Sequence, residues 1–164
     1  MKTMVIYNSQ TGFTKRYAEW IAEAAGADCL ELSAAKKESM AAYDAIIFGG
    51  WACAGGISKL SWFKGNIDKW ADKKLIAFCV GGSPIDNPEI EPALKKNFKE
   101  SELEKVSIFY CPGGFNYEKM SAPSFNNSLI LMIFHNRDSN NLPALLPKHS
   151  FSSKTVYTLF FYQA

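Results

Sequence analysis

Five short apolar runs, separated by segments with helical patterning, constrain the fold of this chain more than any other feature. The runs are continuous and do not alternate with polar residues, which is typical of strands buried on both faces of a sheet. They lie at residues 4–7, 29–32, 45–48, 75–80 and 106–110. Strands that alternate with helices predict a parallel sheet joined by right-handed crossovers. We therefore expect an α/β fold with a doubly wound parallel sheet and helices on both faces.

The segments between the runs predict the crossover helices. Residues 13–25 carry apolar side chains at i, i+3, i+4 and i+7 and are followed by Gly26, a common helix stop. Ser33 predicts the cap of a short helix over residues 33–42, and Asn87 followed by Pro88 predicts a later helix start. Another helix is predicted from a stripe of four apolar side chains, namely Leu60, Phe63, Ile67 and Trp70.

The turn after the first run has the composition of a phosphate site. It reads Ser9, Gln10, Thr11, Gly12, Phe13 and Thr14. The start of a helix offers free backbone N–H groups and a partial positive charge, the three hydroxyls add neutral donors, and Gly12 lets the backbone approach an anion closely. No Lys or Arg lies inside the turn. This composition predicts a terminal phosphate held by dipoles rather than a triphosphate with its metal.

Two further glycine-bearing loops are predicted at the same edge of the sheet. The third run ends at Gly49 and Gly50 and is expected to continue as a loop over residues 51–56, and the fourth run ends at Gly81 and Gly82. Parallel strands bring their carboxyl ends to one edge, where α/β sheets bind ligands. Trp51 can stack on a flat ring there or pack locally within its loop. The residues predicted to contact such a ring are Gly50, Trp51, Ala52, Cys53, Gly55, Gly81, Gly82 and Ser83.

Several other kinds of site are excluded because the motifs that they require are absent. The chain has no G-x-G-x-x-G dinucleotide fingerprint and no Walker phosphate loop. Asn8 and Gly49 occupy the places where a phospho-acceptor receiver domain needs acidic residues. Cys53 is interpreted as a small loop residue, with a thiol nucleophile or redox partner as the alternative. No metal site is predicted, because the cysteines lack C-x-x-C spacing and both histidines, His135 and His149, come late in the chain.

Composition limits the partners. The net charge is +2 and the basic residues are dispersed among acidic ones, so nothing points to nucleic acid. The longest apolar runs, such as residues 129–134, are too short to cross a bilayer, and no signal peptide is expected. The four cysteines are expected to be buried, reduced thiols, which indicates a cytoplasmic protein.

Residues 9–14 match the [ST]-x-T-G-x-T phosphate loop of the flavodoxin family without a departure, and the chain resembles that family over residues 1 to about 123. The resemblance implies a flavodoxin-like sheet with strand order 2-1-3-4-5. It also implies FMN, with its phosphate on residues 9–14 and its isoalloxazine ring between residues 50–56 and 81–85. Residues 43–50 and 113–117 look most similar to the bacterial group that includes menaquinone-dependent protoporphyrinogen oxidase.

The sequence leaves open whether the protein is an enzyme, an electron carrier or a binding module. Electron-carrier flavodoxins are usually strongly acidic, and this chain is not; it also departs from them at residues 51–54 and 83–85. The preferred interpretation is an oxidoreductase that acts on a quinone, a nicotinamide or a porphyrinogen, with no side chain assigned as catalytic. The alternatives are an electron carrier between protein partners and a binding module that has lost its cofactor.

The domain is predicted to span residues 1–124. Residues 125–164 differ in composition, because they carry only four charged residues and are rich in Asn and Ser. They are interpreted as an atypical C-terminal segment of the same domain, divergent or out of frame.

Overall fold

The computed structural model describes residues 1–114, which form a parallel sheet with helices on both faces. The sheet order is β2-β1-β3-β5-β6, and the short strand β4 pairs antiparallel with β3. The strands are β1 (Thr3–Tyr7), β2 (Asp28–Glu31), β3 (Ala45–Cys53), β4 (Gly56–Ile57), β5 (Lys74–Gly81) and β6 (Val106–Pro112). Counting only the five parallel strands, this is the predicted order 2-1-3-4-5 and the predicted α/β fold.

Side chains of successive residues in each apolar strand point to opposite faces of the sheet. On one face, Val5, Ile47 and Phe78 pack against the helix that follows β1. On the other face, Ile46 and Phe48 pack against the remaining helices through side chains such as Phe63. Because both faces are buried, both sets of positions are apolar, which explains why the runs lack alternation.

The helices are α1 (Phe13–Ala25), α2 (Leu32–Ala35), α3 (Leu60–Lys64), α4 (Ile90–Lys95) and α5 (Glu100–Leu103), with a 3-10 turn at Asp68–Trp70. Helix α1 has the predicted bounds, and Gly26 ends it in the left-handed conformation with φ of 58°. The predicted cap at Ser33 is wrong, because α2 begins one residue earlier behind Glu31 and spans only four residues. The predicted helix start at Asn87 and Pro88 is also wrong, because α4 begins at Ile90 after Glu89; the Asn87 side chain accepts a hydrogen bond from the Glu89 N–H at 2.9 Å in the turn before it.

The predicted apolar stripe is divided between two short elements. Leu60 and Phe63 lie on α3, whereas Ile67 precedes the 3-10 turn that contains Trp70. All four side chains are buried in the same core. The pattern therefore identified the buried positions correctly, although the backbone between them is not one continuous helix.

Strand β3 does not end at its two glycines as predicted. Gly49 and Gly50 stay within the strand, which continues to Cys53. A Cβ at Gly49 would lie 2.0 Å from Cζ of Phe78 on β5, and a Cβ at Gly50 would lie 2.6 Å from the backbone oxygen of Ser58. These glycines are thus required by close packing against neighbouring elements rather than by a turn.

The predicted loop over residues 51–56 is a β-hairpin. Cys53 pairs with Gly56 across β3 and β4, and the two residues between them form the turn. Both have positive φ, 48° at Ala54 and 78° at Gly55, as in the type I′ turns that suit the twist of antiparallel strands. The extension of β3 therefore projects a hairpin beyond the carboxyl edge of the sheet.

The predicted boundary at residue 124 and the atypical segment 125–164 lie outside the described residues. The same holds for His135 and His149.

We expect Gly50→Ala to destabilise the protein by about 1–3 kcal/mol, because the added methyl group overlaps the Ser58 backbone. Urea unfolding measures the change. Gly65→Ala is the matched control: Gly65 has φ of −65° and its Cβ would lie 3.4 Å from the Ser61 oxygen, so this variant should be as stable as the parent or more so. Equal stability of the two variants would contradict the packing argument.

Candidate functional site

The turn between β1 and α1 forms an open cavity at the carboxyl edge of the sheet. The Gly12 N–H donates to Oγ of Ser9 at 3.2 Å, and the Gly12 carbonyl accepts the N–H of Arg16 at 3.0 Å as α1 begins. Gly12 has φ of 96°, and a Cβ there would meet no atom within 4 Å. The cavity of about 280 Å³ is lined by Tyr7, Ser9, Gln10, Thr11, Gly12, Lys15 and Glu31.

The six predicted phosphate-loop residues divide between the cavity and the core. Residues 9–12 line the cavity, as the anion-site prediction requires. Thr14 is buried at 2% exposure in the first turn of α1. The Phe13 ring is half-buried and reaches Gly114, where a Cβ would lie 3.0 Å from Cζ of Phe13. Phe13 and Thr14 therefore form the first turn of α1, and their side chains do not line the cavity.

Three residues of the cavity were missed at the level of sequence. Lys15 follows the loop directly, and it also lies 3.7 Å from Glu19 as an exposed ion pair. Burial raises the pKa of Tyr7, and Lys15 partly offsets that rise. Glu31 reaches the cavity from the end of β2, which only the sheet order could reveal. One cation and one anion, Lys15 and Glu31, therefore stand beside a loop that itself holds no charge.

Asn8 joins the turn between β1 and α1 to the β3–β4 hairpin. Its N–H donates to the Gly49 carbonyl at 2.9 Å, and its side-chain Nδ2 donates to Oγ of Ser58 at 2.8 Å. The Ser58 N–H in turn donates to the Trp51 carbonyl at 2.8 Å. The residue that precedes the cavity thus holds the base of the hairpin through both its main chain and its side chain.

The hairpin presents small residues to solvent at this edge. Ala52 and Gly55 are exposed, Trp51 and Cys53 are half-buried, and Gly50 is buried beneath the hairpin. Asn97, which follows α4, approaches the tip: its Oδ1 would lie 3.3 Å from a Cβ on Gly56. The predicted ring-contact residues of this segment therefore lie together, but on a paired hairpin rather than on a loop.

The third predicted segment lies beside the hairpin. Trp51 pairs with Val80 in the sheet, and a Cβ at Gly81 would lie 3.2 Å from Cβ of Ala52. Gly82 and Ser83 are exposed. The main chain of Ser83 is bonded to the Tyr110 side chain, with its N–H and its carbonyl each 2.9 Å from the Tyr110 hydroxyl oxygen. Tyr110, like Tyr7, Lys15 and Glu31, is a residue that the sequence did not single out.

The thiols divide by burial. Cys79 and Cys111 are buried on adjacent strands, and burial raises the pKa of each to about 12. Cys29 and Cys53 are half-buried, and all four are free. The prediction of buried thiols is thus correct for Cys79 and Cys111 and incomplete for the other two.

The hairpin and the segment after β5 carry no charge at this edge of the sheet. Residues 52–56 and 82–85 contain no charged side chain. Within residues 1–114, no cluster of His, Cys, Asp or Glu has the arrangement of a metal site. Over the same residues, no helix combines the length and the apolar character needed to cross a membrane.

A family model described as a flavodoxin domain matches residues 4–141 of the chain. None of the curated proteins compared with the chain matches it. Among solved structures, a WrbA-like flavodoxin from Agrobacterium tumefaciens is 23% identical, with a TM-score of 0.51 over 82% of this chain and 98% of that chain. At this identity, the similarity supports the fold.

Two further solved structures are similar over much of the chain. A flavoprotein from Bacteroides uniformis is 22% identical, with a TM-score of 0.48 over 70% of this chain and 92% of that chain. A flavoprotein in complex with FMN from Lactobacillus acidophilus is 15% identical, with a TM-score of 0.46 over 66% of this chain and 91% of that chain.

We expect the bond between Asn8 and Ser58 to couple the β1–α1 turn to the hairpin energetically. Urea unfolding of Asn8→Ala, Ser58→Ala and the double variant should give a coupling free energy of about 0.5–1.5 kcal/mol, because the second substitution removes a bond already lost. The two single variants serve as each other's controls. Losses that simply add would show that the contact contributes nothing.

Proposed function

We propose that this chain, which belongs to the flavodoxin-domain family, binds FMN at the carboxyl edge of its sheet and carries out redox chemistry with it. The phosphate is assigned to residues 9–14 and the isoalloxazine ring to the space between the β3–β4 hairpin and residues 81–83. The observation that carries the proposal is the chain of contacts Asn8–Ser58–Trp51, which joins an anion cavity to the segments assigned to the ring.

The cavity residues fit a phosphate group. Gly12 leaves open space where a side chain would stand, and the start of the 13-residue helix α1 supplies backbone donors. Ser9, Thr11 and Lys15 line the same space, as does Glu31, whose negative charge opposes an anion and partly offsets the charge of Lys15. We assign Lys15 an electrostatic role at the rim, because its charge acts on the cavity from outside the loop.

The hairpin and residues 81–83 fit a flat ring. Gly81 brings the backbone of β5 close to Ala52, and the neighbouring residues Gly82 and Gly55 are exposed without bulky side chains. Trp51 and Cys53 are half-buried on the same hairpin. Ser83 is assigned to the same space, and its main chain is bonded to the Tyr110 hydroxyl.

Bound FMN supplies hydride and single-electron transfer, and the protein supplies binding, orientation and control of access. We favour an oxidoreductase that acts on a small molecule of the quinone, nicotinamide or porphyrinogen class, in a cytoplasmic protein. The uncharged surface of residues 52–56 and 82–85 supports this choice, because carriers use strong fields to steer docking with protein partners. The likeness to the group that includes menaquinone-dependent protoporphyrinogen oxidase points the same way.

We expect Thr11→Ala to weaken FMN binding about 10- to 100-fold, because a hydrogen bond to a charged group contributes about 1.5–3 kcal/mol. Flavin fluorescence titration measures this, and the same titration with riboflavin, which lacks the phosphate, should show no change. Ser101→Ala removes an exposed hydroxyl on α5 and should alter neither affinity. Equal weakening of FMN and riboflavin would contradict the phosphate assignment.

We expect the FMN-loaded protein to catalyse repeated oxidation of NADH or NADPH with a quinone acceptor, measured by loss of the reduced nicotinamide absorbance. The rate of the quinone half-reaction should change little with ionic strength, because the surface at the ring is uncharged. Absence of turnover with nicotinamide, quinone and porphyrinogen, together with salt-sensitive electron transfer to a redox protein, would favour the carrier instead.

A further inference from the structure

We propose that Tyr110 is a positioning residue that holds residues 81–83 in the conformation that receives the flavin ring. This inference rests on the proposed function. It assigns a role to a residue of β6 that lies outside the three segments expected to contact the cofactor.

The Tyr110 hydroxyl bonds to both ends of one residue. It accepts the Ser83 N–H at 2.9 Å and donates to the Ser83 carbonyl at 2.9 Å. A phenol that does both must keep its proton. Burial raises the pKa of Tyr110 above its ordinary value of 10.0, so the hydroxyl stays protonated near neutral pH.

The Tyr110 ring reaches Ser83 by lying against Gly81. A Cβ at Gly81 would be 2.9 Å from both Cε2 and the hydroxyl oxygen of Tyr110, and 3.2 Å from Cβ of Ala52. On its other side, the Gly81 carbonyl accepts the Gly113 N–H at 2.6 Å. The end of β5 is therefore fixed between β6, the hairpin and the Tyr110 side chain, and Ser83 is fixed to that same side chain.

This arrangement prepares an exposed segment for binding. Residues 82–86 are exposed, and beyond Gly81 they leave the sheet. A segment that is already ordered does not have to lose conformational freedom when a ligand binds, so the affinity for that ligand is higher. Because residues 81–83 are assigned to the ring and not to the phosphate, loss of the Tyr110 hydroxyl should affect all ligands that carry the ring equally.

The test is Tyr110→Phe, which removes the hydroxyl and keeps the aromatic ring against Gly81. We expect the Ser83 amide hydrogen to exchange with solvent about tenfold faster in this variant, because its hydrogen-bond acceptor is lost. The exchange rate is measured by NMR on the protein without flavin. We expect the dissociation constants of FMN and riboflavin to rise by a common factor of about three to ten. Thr11→Ala provides the contrast, since it should weaken FMN alone.

Tyr43→Phe is the matched control. The Tyr43 hydroxyl donates to Asp28 at 2.8 Å, and Tyr43 precedes β3 at the amino edge of the sheet, opposite the site. This variant also loses one tyrosine hydroxyl and should change neither the Ser83 exchange rate nor the flavin affinities.

The outcomes separate the inference from the function on which it rests. If the parent protein binds neither FMN nor riboflavin, the proposed function is wrong and the positioning role is wrong with it. If the parent binds both and Tyr110→Phe binds both equally well, the function stands and the positioning role is overturned. Unchanged exchange at Ser83 would overturn the bond itself.

Discussion

Close packing at the carboxyl end of β3 is the constraint on which the rest of the structure depends. Gly49 admits the Phe78 ring from β5, and Gly50 admits the backbone of Ser58. A side chain at either position would push apart elements that the sheet and the hairpin hold together. Because the strand passes between them without interruption, it continues to Cys53 and returns as β4. The hairpin can therefore form only because Gly49 and Gly50 have no side chains.

The candidate site combines main-chain groups and neutral side chains with one cation and one anion, Lys15 and Glu31. Backbone donors at the start of α1 and the hydroxyls of Ser9 and Thr11 surround the cavity, with Lys15 at its rim. Asn8, directly before Ser9, bonds the β1–α1 turn to the hairpin, and Tyr110 bonds Ser83 to β6. Such hydrogen bonds hold three separate segments at one edge of the sheet, as a preformed site for a small molecule requires.

Prediction from sequence succeeded where the signal was local and repeated. Helix α1 has both predicted ends, because its apolar period and Gly26 act within the helix itself. The sheet order was expected from the resemblance to flavodoxins, and the continuous apolar runs agree with it. Prediction failed at Gly49 and Gly50, since a glycine that ends a strand and a glycine that admits a neighbour are identical in sequence. It also failed at Ser33, where Glu31 precedes a helix of only four residues.

The sequence by itself determined the alternation of strands and helices, the bounds of α1 and the position of the glycine-containing turn after β1, because these depend on patterns within a few turns of chain. Only the tertiary structure decided that Lys15 and Glu31 share a cavity with that loop, that residues 51–56 form a hairpin, and that Tyr110 bonds to Ser83. Tyr110 and Ser83 are 27 positions apart along the chain. Their contact arises from the pairing of β5 with β6, and no local pattern encodes which strands will be neighbours.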